Sequence, residues 1–297
     1  MKKSRVLIFL LILSAQLVCS QVSEKERLAL LDLFENTNGQ DWLNPWDTET
    51  SVAKWYGVTV EDGHVVEINL FRNNLAGVVP GSIGDLNYLR KLNLAFNKLT
   101  GVLPGEISQL NKLEVLKIEM NRFKGDVPGE LGNMESLQEL TAFNNFFSGN
   151  IPESLGNLKN LRVLNLSSNN LRGKIPESIG NLARLETLGL FENGLEGNIP
   201  GEMGKLTMLR ELVLANNQLG GPIPEEFGQL ASLKVLQIQH NKFDSYKSLE
   251  MMDSKQFLVF DYDKDDAKLK FKDLNFSRTR MAETKFEDNE ENDNNNE

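Results

Sequence analysis

Short bursts of alternating leucine and polar residues, such as Leu92 and Leu94 within Leu89-Arg-Lys-Leu92-Asn-Leu94-Ala-Phe-Asn97, return every 24 residues along most of this chain. Alternation with period two predicts a short strand that keeps one face in a core. Asparagine follows each burst without slippage, at Asn73, Asn97, Asn121, Asn145, Asn169, Asn193, Asn217 and Asn241. A period of that length means one supersecondary unit stacked on itself, so the chain is predicted to form a solenoid. Each unit must turn after its strand, and the turn leaves backbone groups outside any regular ladder. An asparagine amide carries a donor and an acceptor, so one side chain can bridge its own coil and the next. The glycines at 77, 101, 125, 149, 173, 197 and 221 suit an unusual φ or a close backbone approach. Three residues later a proline fixes φ and gives up a donor, predicting a stop to helix on the back of the coil. Leucines at 86, 110, 158, 182, 206 and 230, with Met134 in the same column, supply the far wall of the core.

The run Asn169-Asn-Leu-Arg-Gly-Lys-Ile-Pro-Glu-Ser-Ile-Gly-Asn-Leu182 resembles the plant-type subclass of leucine-rich repeats, marked by Leu-x-Gly-x-Ile-Pro after the asparagine. The resemblance covers roughly 65 to 243. It implies an α/β solenoid: a right-handed superhelix with a concave parallel β-sheet, an N-terminal helical cap and an aromatic C-terminal capping strand. Such repeats occur in receptor-like kinase ectodomains, polygalacturonase-inhibiting proteins and secreted bacterial proteins, where they bind proteins, peptides or glycans. A shared fold does not by itself transfer function.

Eight repeats are expected over 65–244, between a cap at 21–64 and a capping repeat at 245–266. Ser23-Glu-Lys-Glu26 reads as a capping box, and Leu28, Leu31 and Phe34 predict one apolar helix face ending near Asn38-Gly39. The segment Lys54-Trp-Tyr-Gly-Val-Thr59 resembles the family's Trp-x-Gly-Val motif. The cysteine pair that flanks it in many relatives is replaced by Ala53 and Val60, so Trp42, Trp46 and Trp55 are the expected anchors. At the other end Phe257, Phe260 and Tyr262 fall on leucine columns and predict a ninth, terminal strand, with Asp265 in the asparagine position. Ser245 and Ser248 replace glycine and proline there, predicting an irregular back. Asp261-Tyr-Asp263-Lys-Asp265 resembles an EF-hand start, but Asp266 and Lys272 replace the required glycine and glutamate. Residues 267–297 read as an acidic, disordered tail.

The formal net charge of −10 disfavours nucleic acid and anionic membranes as partners. Lys2, Lys3 and Arg5 precede an apolar core from Val6 to Leu13, with Ser20 at a cleavage point, so residues 1–20 read as a secretory signal too short to span a membrane. The single cysteine, Cys19, permits a minor lipoprotein reading, although Val18 stands where a small residue is wanted. Location is expected to be secreted or at the cell surface, with the periplasm as an alternative. His64, in a turn after Asp62-Gly63, and His240, on an outward strand position, read as solvated. With no nucleophile motif, metal cluster or phosphate loop, the sequence predicts no enzyme, no cofactor and no metal.

Function is therefore expected on outward strand positions. One column runs Phe71, Ala95, Glu119, Phe143, Ser167, Phe191, Ala215, Gln239; the next runs Arg72, Phe96, Met120, Asn144, Ser168, Glu192, Asn216, His240. Phe71, Phe96, Met120, Phe143 and Phe191, with Arg72, Lys91 and Lys117 interleaved and Phe146 flanking, form the expected contact surface. The basic residues could equally balance Glu67, Glu119 and Glu139 across strands. The resulting reading is a secreted recognition module for a protein, peptide or glycan. The alternatives are an inhibitor of a secreted carbohydrate-active enzyme and, third, an enzyme.

Overall fold

The computed structural model describes residues 22–252 and 257–263. The expected signal with Cys19, Asp265 and the acidic tail lie outside the described residues. Every coil follows one path. In the second, the strand Lys91–Asn93 ends, Phe96 adopts a left-handed conformation (φ 57°), and Asn97 follows. A second strand, Lys98–Gly101, then leads through Pro104 into a 3-10 turn, Gly105–Gln109, and Leu110 returns the chain to the core. The first strands stack into a ten-stranded sheet that is parallel apart from the entering hairpin, Val58–Glu61 against His64–Asn69. The second strands form two lateral four-stranded sheets, from Ala76–Gly77 to Phe146–Ser148 and from Arg172–Gly173 to Lys242–Ser245. Between them runs one continuous column of buried leucine, isoleucine and phenylalanine.

Asparagine holds each turn in place. The Asn97 amide donates to the carbonyl of Leu70 in the preceding coil (2.8 Å) and to Leu94 and Ala95 in its own (2.9 and 3.1 Å). Its Oδ1 accepts the N–H groups of Asn73 and Leu75 at 3.0 Å. The own-coil bonds close the loop around left-handed Phe96, a conformation that non-glycine residues seldom adopt. Asparagine is thus both the rung between coils and the clamp on the turn. Gly101 has φ 81°, and an added Cβ would sit 2.9 Å from Val78 Cγ1, because the preceding coil lays its side chain there. Gly156 is needed for space alone, since its Cβ would fall 2.4 Å from the Ser178 carbonyl oxygen of the next coil.

The structure corrects four readings of the sequence. The prolines do not stop helix; Pro104 and its equivalents sit at the head of each 3-10 turn with extended ψ, and the Ile107 N–H bonds back to the Pro104 carbonyl at 3.1 Å. The cap helix Glu24–Asn36 buries Ala29, Leu30, Leu33 and Phe34, while Leu28 is exposed and Leu31 only partly covered. Glu26 at its start is buried because its carboxylate accepts from the Val65 N–H (3.1 Å) and the Ser23 hydroxyl (2.8 Å). His64 is not a solvated turn residue: it begins the second strand of the hairpin, lies 3.3 Å from Glu26 Oε2, and stacks on Tyr88 with ring centroids 3.5 Å apart. Finally, the back of the last coil is regular. It forms the 3-10 turn Lys247–Met251, with the buried Ser248 hydroxyl donating to the Ile223 carbonyl at 2.6 Å. Ser248→Ala should therefore cost about 1 kcal/mol in urea unfolding; an unchanged midpoint would show that the serine does not hold this coil.

Aromatic residues close both ends. Phe34, Trp42, Trp46 and Trp55 pack in sequence, with Trp42 and Trp46 at 4.9 Å and Trp46 and Trp55 stacked at 4.8 Å. At the far end the strand Val259–Asp261 pairs in parallel with Val235–Gln237, and Phe257, Phe260 and Tyr262 stack at 5.1 and 5.0 Å. Burial raises the Tyr262 phenol above its ordinary value, so it stays neutral at physiological pH. Asp263 takes over bonds that backbone carbonyls make in other coils, accepting from the His240 N–H at 2.9 Å.

Candidate functional site: the concave face

The ten-stranded sheet leaves its concave face open, and three outward columns cross it. Two belong to the three-residue strands themselves: Glu67, Lys91, Val115, Glu139, Val163, Thr187, Glu211, Val235, Val259, and Asn69, Asn93, Lys117, Thr141, Asn165, Gly189, Val213, Gln237, Asp261. Sequence reasoning singled out only the charged members of these columns. It passed over the β-branched residues Val115, Val163, Thr187, Val213, Val235 and Val259, which place an apolar row among the polar Asn69, Asn93, Asn165 and Gln237. The signal was present in the sequence: valine and threonine recur immediately before or after the buried leucine of the strand.

The third column, Phe71 to Gln239, lies just beyond the strand ends. Phe71 is exposed and Phe143 and Phe191 are half-buried, but Ala95, Glu119 and Ala215 are buried. The Glu119 carboxylate accepts from the Thr141 hydroxyl at 2.6 Å. The column Arg72, Phe96, Met120, Asn144, Ser168, Glu192, Asn216, His240 is not a strand column at all. Each of these residues is left-handed, with φ between 49° and 58°, and they line the rim where the sheet turns into the lateral strands. His240 there meets Asn216 Oδ1 at 2.7 Å.

Phe71 and Phe96 come together across coils, ring centroids 5.1 Å apart and tilted by 58°, with exposed Arg72 beside them. Met120 is next along the rim, its Sδ 2.8 Å from Asn144 Nδ2, and Phe143 follows in the adjoining column. Lys91 is exposed in the strand column. Lys117 is half-buried and paired with Glu139 at 2.9 Å, so it balances charge across strands. Phe146 is exposed but stands apart, on the lateral sheet in the strand Phe146–Ser148. Phe191 lies two coils beyond Phe143, its N–H donating to the Ser167 hydroxyl at 3.2 Å. The rim thus gathers Phe71, Arg72, Phe96 and Met120, with Phe143 adjoining.

A 24-residue coil with an asparagine rung, a lateral second strand and a concave parallel sheet defines a leucine-rich-repeat solenoid. The description "leucine-rich repeat region" matches residues 70–175 and 153–272, and the chain belongs to that family. Among solved structures it is similar to the ectodomain of the plant membrane receptor kinase GASSHO1/SCHENGEN3 from Arabidopsis thaliana, in complex with CASPARIAN STRIP INTEGRITY FACTOR 2. Identity is 33% over 79% of this chain and 29% of that one, with a TM-score of 0.75. It is similar also to PEPR1 in the PEPR1–AtPEP1 structure, at 30% identity over 80% of this chain and 34% of that one, TM-score 0.72. The Arabidopsis receptor kinase HAESA, solved with the peptide hormone IDA and the co-receptor SERK1, matches at 27% over 81% and 42%, TM-score 0.71. The chain spans about a third of the length of the first two ectodomains. No curated protein matches it significantly. No helix among the described residues is long and apolar enough to cross a membrane.

Proposed function

We propose that this chain is a secreted, non-enzymatic recognition module that binds a protein or peptide through the concave face and its rim. The observation that carries the reading is the Phe71–Phe96 pair. An exposed Phe71 ring (46%) against a partly exposed Phe96 ring, beside Arg72 and Met120, sits where the coil has no need of aromatics, since alanine and serine fill the Phe71 position and serine and asparagine the Phe96 position in other coils. Beside them the strands present polar Asn69, Asn93, Glu67 and Lys91, and the β-branched row from Val115 to Val259 continues the face over the later coils. A receptor-kinase ectodomain of the same fold, solved with a peptide hormone, supports this choice over a glycan. Residues 1–20 act as the export signal in this reading.

The test is a pull-down from the secreting organism's extracellular fraction, with wild-type protein and a Phe71→Ala/Phe96→Ala/Phe143→Ala variant as baits. A protein or peptide retained by the first and lost from the second is the expected outcome. Equal recovery on both baits, with both folded by circular dichroism, would move recognition off this face. The Phe71→Ala change alone should cost about 0.5 to 1.5 kcal/mol of stability through its contact with Phe96, little enough to leave the fold intact.

A further inference from the structure

Away from the concave face, the outer side of the first lateral sheet and the start of the second, joined by the bridge between Asn150 and Arg172, carries a charge pattern that the solenoid does not require. In coils two to five the outward residues include Lys98, Arg122, Lys124, Arg172 and Lys174, against one acid, Asp126. All five cations are exposed, and none has an ion-pair partner among the described residues, whereas Arg90, Lys117, Arg162 and Arg210 each meet a glutamate. In coils six to eight the same positions hold Glu196, Lys242 and Asp244. An acidic protein, net −10, thus concentrates unpaired positive charge on one strip.

Apolar side chains stand among these cations. Val78, Val102 and Phe146 are 42%, 60% and 54% exposed, and Lys124 pairs in register with Phe146 across neighbouring strands. The opposite face of the sheet is buried through Leu99, Phe123 and Phe147, so the outer face alone is unpartnered. We infer that this face is a second docking surface, and that its occupant is an acidic, extended segment of a protein in which carboxylates alternate with apolar side chains. Extended chains repeat same-face side chains about 6.6 Å apart, which is also the separation of Arg122 and Lys124 along their strand. Acidic glycans would match the charge and could meet Phe146, but aliphatic Val78 and Val102 offer a sugar neither a hydrogen bond nor an aromatic face, and a uronate chain has no apolar side chain to cover them. Carboxylates would be steered to the strip by its field, and the apolar contacts would hold them there.

The experiment is calorimetric titration of the folded chain with a short, end-blocked peptide alternating glutamate and leucine, and separately with an oligouronate of equal charge. The peptide should bind more tightly than the oligouronate, and more weakly as salt rises from about 0.01 to 0.15 M. Lys98→Glu/Arg122→Glu/Lys124→Glu should weaken it by about tenfold or more, and Phe146→Ala by about fivefold. The milder Lys98→Gln/Lys124→Gln pair should weaken it in the same direction if the triple reversal perturbs folding. The concave variant Phe71→Ala/Phe96→Ala/Phe143→Ala should bind the peptide normally, which separates this surface from the concave one. No peptide binding, binding indifferent to both sets of lateral variants, or an oligouronate that binds as tightly as the peptide would each overturn the proposal.

Discussion

Phe147→Ala is expected to lose about 3 to 5 kcal/mol in urea unfolding, among the largest single-site losses in the chain. Phe147 is 1% exposed and takes a position filled by leucine in most coils. Its ring lies parallel to that of Phe123 in the preceding coil, 6.0 Å between centroids and 10° between planes. Two adjacent coils therefore carry a ring where most carry leucine, and the backbone around them is held by asparagine rungs that resist collapse into a vacated space. In a solenoid each coil contacts chiefly its neighbours, so damage in the fourth coil severs the stack rather than fraying an end. A loss below about 1 kcal/mol would mean that the coil closes over the cavity.

Asn145→Leu should be comparably severe for a different reason. The buried Asn145 amide donates to the carbonyls of Ile118 and Ala142 at 3.0 and 3.1 Å, with a longer bond to Phe143 at 3.4 Å, and its Oδ1 accepts the Phe123 N–H at 3.0 Å. Leucine fits the volume but leaves those groups unpaired away from water, at about 1 to 3 kcal/mol each. The same change at Asn241 removes equivalent bonds, to Leu214, Ile238, Gln239 and Leu219, from a site that is only half-buried. Water can replace some of these, so Asn241→Leu should cost less. Equal losses at the two sites would show that burial does not set the strength of the rung.

These two residues also mark how far the sequence could be read. Asn145 and the leucine columns were legible because each recurs every 24 residues and because only one residue type satisfies both sides of the turn. Phase within the coil was less legible. Phe96 and its column mates directly follow the outward Ala95 position and read as a second outward strand column, although adjacent strand residues face opposite sides; the chain has already turned left-handed there. What stabilises that turn is the amide of the following asparagine, bonding two carbonyls behind it, a contact that no pattern of hydrophobicity encodes. Phe34 of the cap helix face was legible, but Leu28 and Leu31 compete with Leu30 and Leu33, and only the docking of the helix against the first coil decides between them. The candidate surface was partly legible: Phe71 and Phe96 do meet, but Lys117 is engaged with Glu139, Phe146 lies on another sheet, and the valine carpet was passed over.

Phe143 and Phe147 are four residues apart, one partly exposed at the concave face and the other sealed in the core. The central claim, that fold and recognition occupy separate columns of the same coil, is tested most directly by measuring affinity per folded molecule for the captured partner with each residue changed to alanine. Phe143→Ala is predicted to weaken binding by about fivefold or more while its unfolding midpoint stays near wild type, and Phe147→Ala to lower the midpoint sharply while the folded fraction binds normally. Wild-type affinity in Phe143→Ala, or a binding defect confined to Phe147→Ala, would contradict the claim.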